Sequence, residues 1–308
     1  MTRPSSTVRH LSLLFSFCLF LHLSARAQGT VDDDVVRINT DVVLLNITVT
    51  DSQGKFVRGL CARDFKIYDD GREQTVDTFA SFGVEETPFA AAILLDTSGS
   101  MESRLTLARS AAIRFLDGLR AEDFAAVYRF DAKVERLQDF STGRDPGPLV
   151  FGVRAKGMTA LNDAIARAAK DLAQRPEKRR AIIVLSDGAD TYSKATAGKA
   201  LEIALAAGAT IYTVDMTGTD GNASRDQVSA AALRNFANKS GGRYIATPGG
   251  PTLREAFASI VAELGTQYTI SYRPTERARD GRWHTIEIKT TRPEQTARTR
   301  KGYRAPKS

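Results

Sequence analysis

Cysteine and histidine are scarce in this chain, and their scarcity excludes several kinds of site. The sequence has two cysteines and three histidines. Cys18, His10 and His22 lie in a predicted leader described below, so the mature chain keeps Cys61 and His284. A single cysteine forms no intrachain disulfide, and this pair does not complete a Cys/His zinc cage. A Ser-His-Asp or Cys-His catalytic scheme would depend on His284 alone.

Long apolar runs are absent beyond the amino terminus. Arg3 and Arg9 form a basic start, Leu11 to Leu23 is apolar, and Ala25-Arg26-Ala27 has the small-x-small form of a cleavage site. This pattern predicts a secretory signal peptide over residues 1–27. The alternative is a membrane anchor, but a spanning helix needs about 20 apolar residues. We therefore expect export to the periplasm or the cell exterior, with no membrane span in the mature chain.

Charge of one sign is not in large excess. The net charge is +7, and three arginines lie in the predicted leader without any acid, which leaves +4. Basic residues gather near the carboxyl terminus without interleaved aromatics, so we expect no nucleic-acid partner. The sequence also lacks G-x-x-x-x-G-K-[ST] and a G-x-G-x-x-G after the first strand of its α/β region, the loops that bind nucleotide phosphates.

Residues 28–86 have the pattern of short strands. Val43 to Val49 alternate between apolar and polar residues, as a half-buried strand does. Phe65 to Tyr68 and Gln74 to Phe82 are two further strand candidates, separated by turn residues. This spacing indicates a small antiparallel β segment.

From residue 87 to 265 the pattern changes to apolar runs that alternate with helical periodicity. Four runs predict strands, at Ala90–Leu95, Phe124–Phe130, Ala181–Leu185 and Ala209–Val214. Because these runs lack polar alternation, both faces of each strand must be covered. The region is therefore predicted to be α/β, with a doubly wound, mainly parallel sheet between helices.

Strand character returns over residues 266–308. Tyr268 to Tyr272 and His284 to Ile288 both alternate. We expect this segment to pack with residues 28–86 into one small antiparallel β-sandwich-like module, with the α/β region inserted between them.

Oxygen-bearing side chains stand at three strand ends or helix starts in the α/β region. Asp96, Ser98 and Ser100 follow the first strand, Thr159 leads into a helix, and Asp187 follows the strand that ends at 185. Ligands of open α/β sheets bind at the carboxyl ends of strands. All five residues are hard oxygen donors, which suit Mg²⁺, Mn²⁺ or Ca²⁺ and not zinc or copper.

Each piece also has a local interpretation. In that interpretation either serine only caps a helix from Glu102, Thr159 caps the next helix, and Asp187 makes a turn with the following glycine. Asp190 is a weaker candidate, as a partner of a ligand. Asp131 is assigned to loop structure.

Taken together, these residues resemble a known site. Asp96-x-Ser98-x-Ser100, Thr159 about sixty residues later and Asp187 before a glycine resemble the metal-ion-dependent adhesion site of von Willebrand factor A domains. The resemblance implies that both serines contact the metal directly. It also implies that Thr159, Asp96 and Asp187 do so directly or through water.

The resemblance extends over about residues 89–264. Met158 departs from it, because the family often has a second glycine there, and this bears on the conformation of the loop. The flanks, Val49 to Phe65 and Tyr268 to Tyr303, resemble exported bacterial proteins of an acidobacterial type that carry this domain.

The sequence therefore predicts a divalent-cation-dependent protein-binding module, in which an acidic side chain of a protein partner completes the coordination of Mg²⁺, or of Mn²⁺ or Ca²⁺. It is not predicted to be an enzyme. The alternatives are a metal-dependent hydrolase with Asp187 or Asp96 as base, and a structural metal site with binding through the β module.

The last helix, Leu253 to Leu264, is the candidate for coupling the metal loops to the β module. The oligomeric state is left open.

Overall fold

The structure is a computed structural model that describes residues 42–81, 87–143, 152–187, 190–217, 223–246, 250–274 and 280–307. The predicted signal peptide lies outside these residues. None of the helices in these ranges has the length and apolar character needed to span a lipid bilayer.

Four strands make up the first part of the described chain. They are β1 (Val43–Thr50), β2 (Phe65–Asp69), β3 (Arg72–Gln74) and β4 (Val76–Ala80). The strand predicted over residues 74–82 corresponds to β4; Gln74 instead ends β3, because the strand pairing is interrupted at Thr75, and Phe82 lies outside the described residues. β3 pairs with β2, whereas β4 pairs with a strand from the carboxyl-terminal segment, so the chain passes from one sheet to another at this point.

Strands and helices alternate through the middle of the chain. The strands are β5 (Phe89–Asp96), β6 (Phe124–Phe130), β7 (Val134–Ser141), β8 (Arg179–Ser186), β9 (Ala209–Asp215) and β10 (Tyr244–Ala246). The helices are α1 (Leu105–Asp117), α2 (Leu161–Ala173), α3 (Ala197–Ala206), α4 (Ala223–Ser240) and α5 (Gly250–Thr266). The sheet order is β10-β9-β8-β5-β6-β7, and β7 runs antiparallel to β6 while the other pairs are parallel.

Both faces of the central sheet are covered. All residues of β5 are buried. Its odd-numbered residues, such as Ile93, pack in one cluster with α1 and α5, and its even-numbered residues, such as Leu94, pack in another with α2, α3 and α4. The prediction of a doubly wound, mainly parallel sheet is confirmed.

The two ends of the chain together form a separate pair of sheets. The last strands are β11 (Tyr268–Tyr272), β12 (Trp283–Thr290), β13 (Thr296–Arg298) and β14 (Gly302–Arg304). The sheet orders are β13-β1-β11-β4 and β14-β12-β2-β3, all antiparallel, so each sheet mixes both segments. Leu45 and Ile270 of one sheet share a core with Ile67 and Ile286 of the other. The sandwich-like arrangement is confirmed, and we call it the β module; the domain limits stay predictions.

A buried glutamate connects α5 to its surroundings. Glu263 is fully buried and accepts hydrogen bonds from Tyr212 of β9 at 2.9 Å and from Thr48 of β1 at 3.0 Å. Its carboxylate also forms ion pairs with Arg298 of β13, at 2.5 Å, and with Arg243, at 2.9 Å. One side chain therefore ties the last helix to the central sheet and to the β module.

Candidate metal centre

The first loop of the site follows β5. Asp96 is fully buried, Ser98 is nearly so and Ser100 is exposed. Asp96 Oδ1 accepts a hydrogen bond from the backbone N–H of Ser98 at 2.9 Å, which turns the loop back over the strand end. The hydroxyl oxygens of Ser98 and Ser100 are 3.1 Å apart. Neighbouring ligands of octahedral Mg²⁺, with bonds of about 2.1 Å, are separated by about 3 Å.

The three hydroxyl residues do not cap helices through their side chains. α1 begins at Leu105, and its cap residue is Arg104; a short 3₁₀ helix, Gly99–Met101, precedes it, and Ser98 makes no side-chain cap bond there. α2 is capped by Ala160 and not by Thr159. The local interpretation of these hydroxyls as caps is therefore wrong.

Backbone hydrogen bonds join the first loop to the second. The N–H of Gly99 donates to the carbonyl of Gly157 at 3.1 Å, and the N–H of Lys156 donates to the carbonyl of Thr97 at 2.8 Å. The loop that carries Thr159 therefore lies directly against the loop that carries the serines.

Thr159 is held in place through its backbone. It is 3% exposed, and its N–H donates to Thr191 Oγ1 at 3.0 Å. Its carbonyl accepts from the N–H groups of Thr191 and Tyr192. These bonds attach the second loop to the segment that follows Asp187.

The third strand end lies beside the first. Leu185 of β8 is opposite Leu95 of β5, which places Ser186 next to Asp96. Ser186 Oγ donates to Asp96 Oδ2 at 2.5 Å. Asp187 is partly buried, and its Oδ1 is a buried oxygen without a hydrogen-bond partner among the residues that the structure describes. A buried carboxylate oxygen without a donor is costly unless a cation balances it.

The electrostatics point the same way. Burial raises the pKa of Asp96 from its ordinary value of 3.8 to about 6. The charge of Asp187 adds to this rise in pKa, while hydrogen bonds from Ser186 and Ser98 oppose it. Two carboxylates in a buried position repel each other, and a dication between them would remove that cost.

The residues present therefore fit a divalent cation with oxygen ligands. The donor set is two carboxylates and three hydroxyls, and the exposure of Ser100 leaves one side of the site open to solvent. Such a cation would supply Lewis acidity at this open side.

Two further aspartates near the site have structural partners. Asp190 accepts from the N–H of Asn162 at 2.7 Å and from Ser193 Oγ at 2.6 Å, so it holds the start of α2. Asp131 accepts from the N–H of Lys133 at 2.9 Å within its own loop.

Sequence reasoning missed Ser186 and Thr191. Ser186 was detectable, because it is the first polar residue after the apolar run Ala181–Leu185, as Asp96 is after Ala90–Leu95. Thr191 is 32 residues from its partner Thr159, and no spacing rule in the sequence connects them.

Part of the chain matches a known family model. Residues 91–189 match the family model of the von Willebrand factor type A domain. This matched stretch, the vWA region, contains Asp96, Ser98, Ser100, Thr159 and Asp187. No curated protein sequence matches the chain significantly.

Solved structures have a similar fold. The pilus adhesin SpaC from Lactobacillus rhamnosus GG, in its open conformation, has a TM-score of 0.50 at 10% identity, over 86% of this chain and 48% of its own. A von Willebrand factor type A protein from Catenulispora acidiphila has 0.47 at 15% identity, over 88% and 75%. The PilB minor pilin from Streptococcus sanguinis has 0.47 at 13%, over 59% and 62%. The chain therefore spans less than two thirds of the length of PilB and of SpaC, and these likenesses concern the fold.

Proposed function

We propose that the chain is a divalent-cation-dependent protein-binding module. Asp96, Ser98, Ser100, Thr159 and Asp187 hold Mg²⁺, or Mn²⁺ or Ca²⁺, and a carboxylate of the protein partner completes the coordination. The observation that carries this proposal is the buried Oδ1 of Asp187, which has no hydrogen-bond partner among the described residues, at the strand end beside the buried Asp96; the adjoining loops carry three hydroxyls that cap no helix. Because only two of the five ligands are charged, the bound cation would still attract a further carboxylate.

The rim of the site suggests the chemistry around that carboxylate. Met158 is 53% exposed and Tyr192 is 54% exposed, and both adjoin Thr159, one in sequence and one through a backbone hydrogen bond. Exposed aromatic and methionine side chains are enriched at binding surfaces. Lys156 and Lys194 are exposed near them and favour an acidic partner. The partner segment therefore presents an acidic residue flanked by apolar ones.

Calorimetry with Mg²⁺ and Mn²⁺ tests the metal. Wild type should bind one ion, and Asp96→Asn should lose that binding. Asp131→Asn is the matched control, since it removes a carboxylate at the end of the neighbouring strand β6 that is hydrogen-bonded within its own loop, and it should bind as wild type does. Unchanged binding by the Asp96 variant would contradict the proposal.

Cross-linked capture from the exported fraction tests the partner. Wild type should retain a protein partner in Mg²⁺ and lose it in EDTA, and Tyr192→Ala should weaken capture while leaving metal affinity unchanged. Partners that persist in EDTA, together with a lower melting temperature, would assign the metal a structural role and the binding to the β module.

A further inference from the structure

Three metal-binding atoms converge in the β module, where the turn after β2 meets β12. One carboxylate oxygen each of Asp69 and Asp70 and a ring nitrogen of His284 lie within 4.8 Å of one another. His284 Nδ1 is 3.0 Å from Asp70 Oδ2 and 3.8 Å from Asp69 Oδ1. The pairing of β2 with β12 brings these side chains together, because Asp69 lies opposite Ile286 and the N–H of Asp70 donates to the carbonyl of Thr285.

The cluster is buried on one side and open on the other. Asp69 is 6% exposed and His284 is 9% exposed. Asp69 Oδ1 is a buried oxygen that receives no hydrogen bond from the described part of the chain. The side chain of Asp70 is 51% exposed, so an ion at this point would keep access to solvent.

The other oxygens of the two carboxylates are already fixed. Asp69 Oδ2 accepts from the hydroxyls of Tyr272 and Tyr303, both at 2.9 Å, which turns Oδ1 towards the histidine. Asp70 Oδ1 accepts from the N–H of Thr285 at 2.8 Å, which leaves Oδ2 facing the ring. Metal-binding carboxylates are held in this way by outer hydrogen bonds.

The imidazole is fixed as well. Its Nε2 lies 3.4 Å from Asp280 Oδ1, and the ring stacks on Tyr303 with centroids 5.3 Å apart. A proton on Nε2 that is donated to Asp280 leaves Nδ1 as an acceptor. Three acceptors then face one point. The buried cation Arg300 directs its hydrogen bond to the carbonyl of Leu205 and not to Asp69.

We propose that Asp69, Asp70 and His284 form a second metal site, which takes Zn²⁺. Imidazole nitrogen and carboxylate oxygen are both ligand types of Zn²⁺, and three protein ligands leave a fourth position open to solvent. The imidazole distinguishes this set from the oxygen-only centre of the vWA region, which suits harder ions. The second site does not depend on the function proposed above.

Zinc titration of the untagged full chain tests this site. The background variant is Asp96→Asn, which disables the first centre and leaves the β module intact. It should bind one Zn²⁺, and Co²⁺ in its place should give visible absorption bands. Adding His284→Gln should abolish both signals. An ion held by the remaining oxygens of the first centre would instead be unaffected by this substitution, so the variant distinguishes the two sites.

Two further variants keep the test decisive. Asp280→Asn should weaken Zn²⁺ binding about ten- to a hundredfold, as loss of an outer hydrogen bond to a ligating histidine does. Asp70→Asn removes a ligand at an exposed turn whose backbone has φ 47°, a conformation that asparagine adopts readily, so it should fold even where the His284 variant does not. Zinc binding that is absent, or unchanged by Asp70→Asn, would overturn the proposal and leave His284 as an ion-pair partner of these carboxylates.

Discussion

At Asp96 the cost of a buried carboxylate should be measurable in metal-free protein. A raised pKa means that the folded state holds the proton more tightly than the unfolded state. Stability is then highest below the ordinary pKa of 3.8 and falls as the pH rises towards about 6. The difference between these values corresponds to roughly 3 kcal/mol at neutral pH.

We therefore expect Asp96→Asn to melt at a higher temperature than wild type at pH 7 in EDTA, and to lose the decline in stability between pH 4 and pH 6. Excess Mg²⁺ should raise the melting temperature of wild type and not that of the variant. Thermal melting of both proteins across this pH range makes the comparison. Parallel profiles in EDTA would contradict the buried-charge argument.

The two candidate sites differ in how far the sequence predicts them. Asp96, Ser98 and Ser100 are close in sequence, and the rule that ligands gather at the carboxyl ends of strands relates them to Asp187. His284 and Asp69 are brought together only by the pairing of β12 with β2. Sequence pattern predicts that both segments are strands, but register between distant strands depends on packing that no local pattern encodes.

At the level of elements, the turn after α4 is a sensitive point. A Cβ at Gly242 would lie 1.9 Å from the carbonyl oxygen of Ile211 in β9, and this neighbour is backbone that does not move aside. Gly242→Ala should therefore destabilise the fold by roughly 1–3 kcal/mol or more.

Gly265 is the matched control, because it lies in α5 and a Cβ there meets nothing within 4 Å. Gly265→Ala should stabilise the protein by roughly 0.5–1 kcal/mol, since glycine costs conformational entropy in a helix. Denaturant unfolding of both variants measures the difference. Equal effects would mean that the close approach at Gly242 is relieved by backbone movement.

Elements with strong apolar patterns were predictable, and several short or polar edge strands were not. β5, β6, β8 and β9 are buried on both faces, so each reads as an apolar run. β7 lies at the sheet edge, is nowhere fully buried and has a polar sequence. β10, β13 and β14 have three residues each, which is too short for an alternating pattern to be recognised in the sequence.

For the whole molecule, Glu263 is the contact that should matter most to cooperativity. Glu263→Gln leaves Arg243 and Arg298 without their carboxylate in a largely buried position. Breaking a buried pair costs about 3–5 kcal/mol, and we expect the lower end because both arginines are partly exposed.

Glu287→Gln provides the comparison, since both side chains of its pair with Lys289 are more than half exposed and solvent screens their attraction, so we expect little change in stability. Calorimetric melting should show one transition for wild type and an earlier melting of the β module in the Glu263 variant. A variant that melts as wild type does would remove Glu263 as the connection between the two parts.

The mixing of both chain ends in the β module also sets an order of folding. β1 finds its partners β11 and β13 more than 200 residues later, and the hydroxyl of Thr299 reaches the carbonyl of Asn46 across 253 residues. A chain that emerges amino terminus first must therefore keep β1 unpaired until its last strands appear. If the central sheet forms first, it draws those ends together, which shortens the loop that β1 and β11 must close.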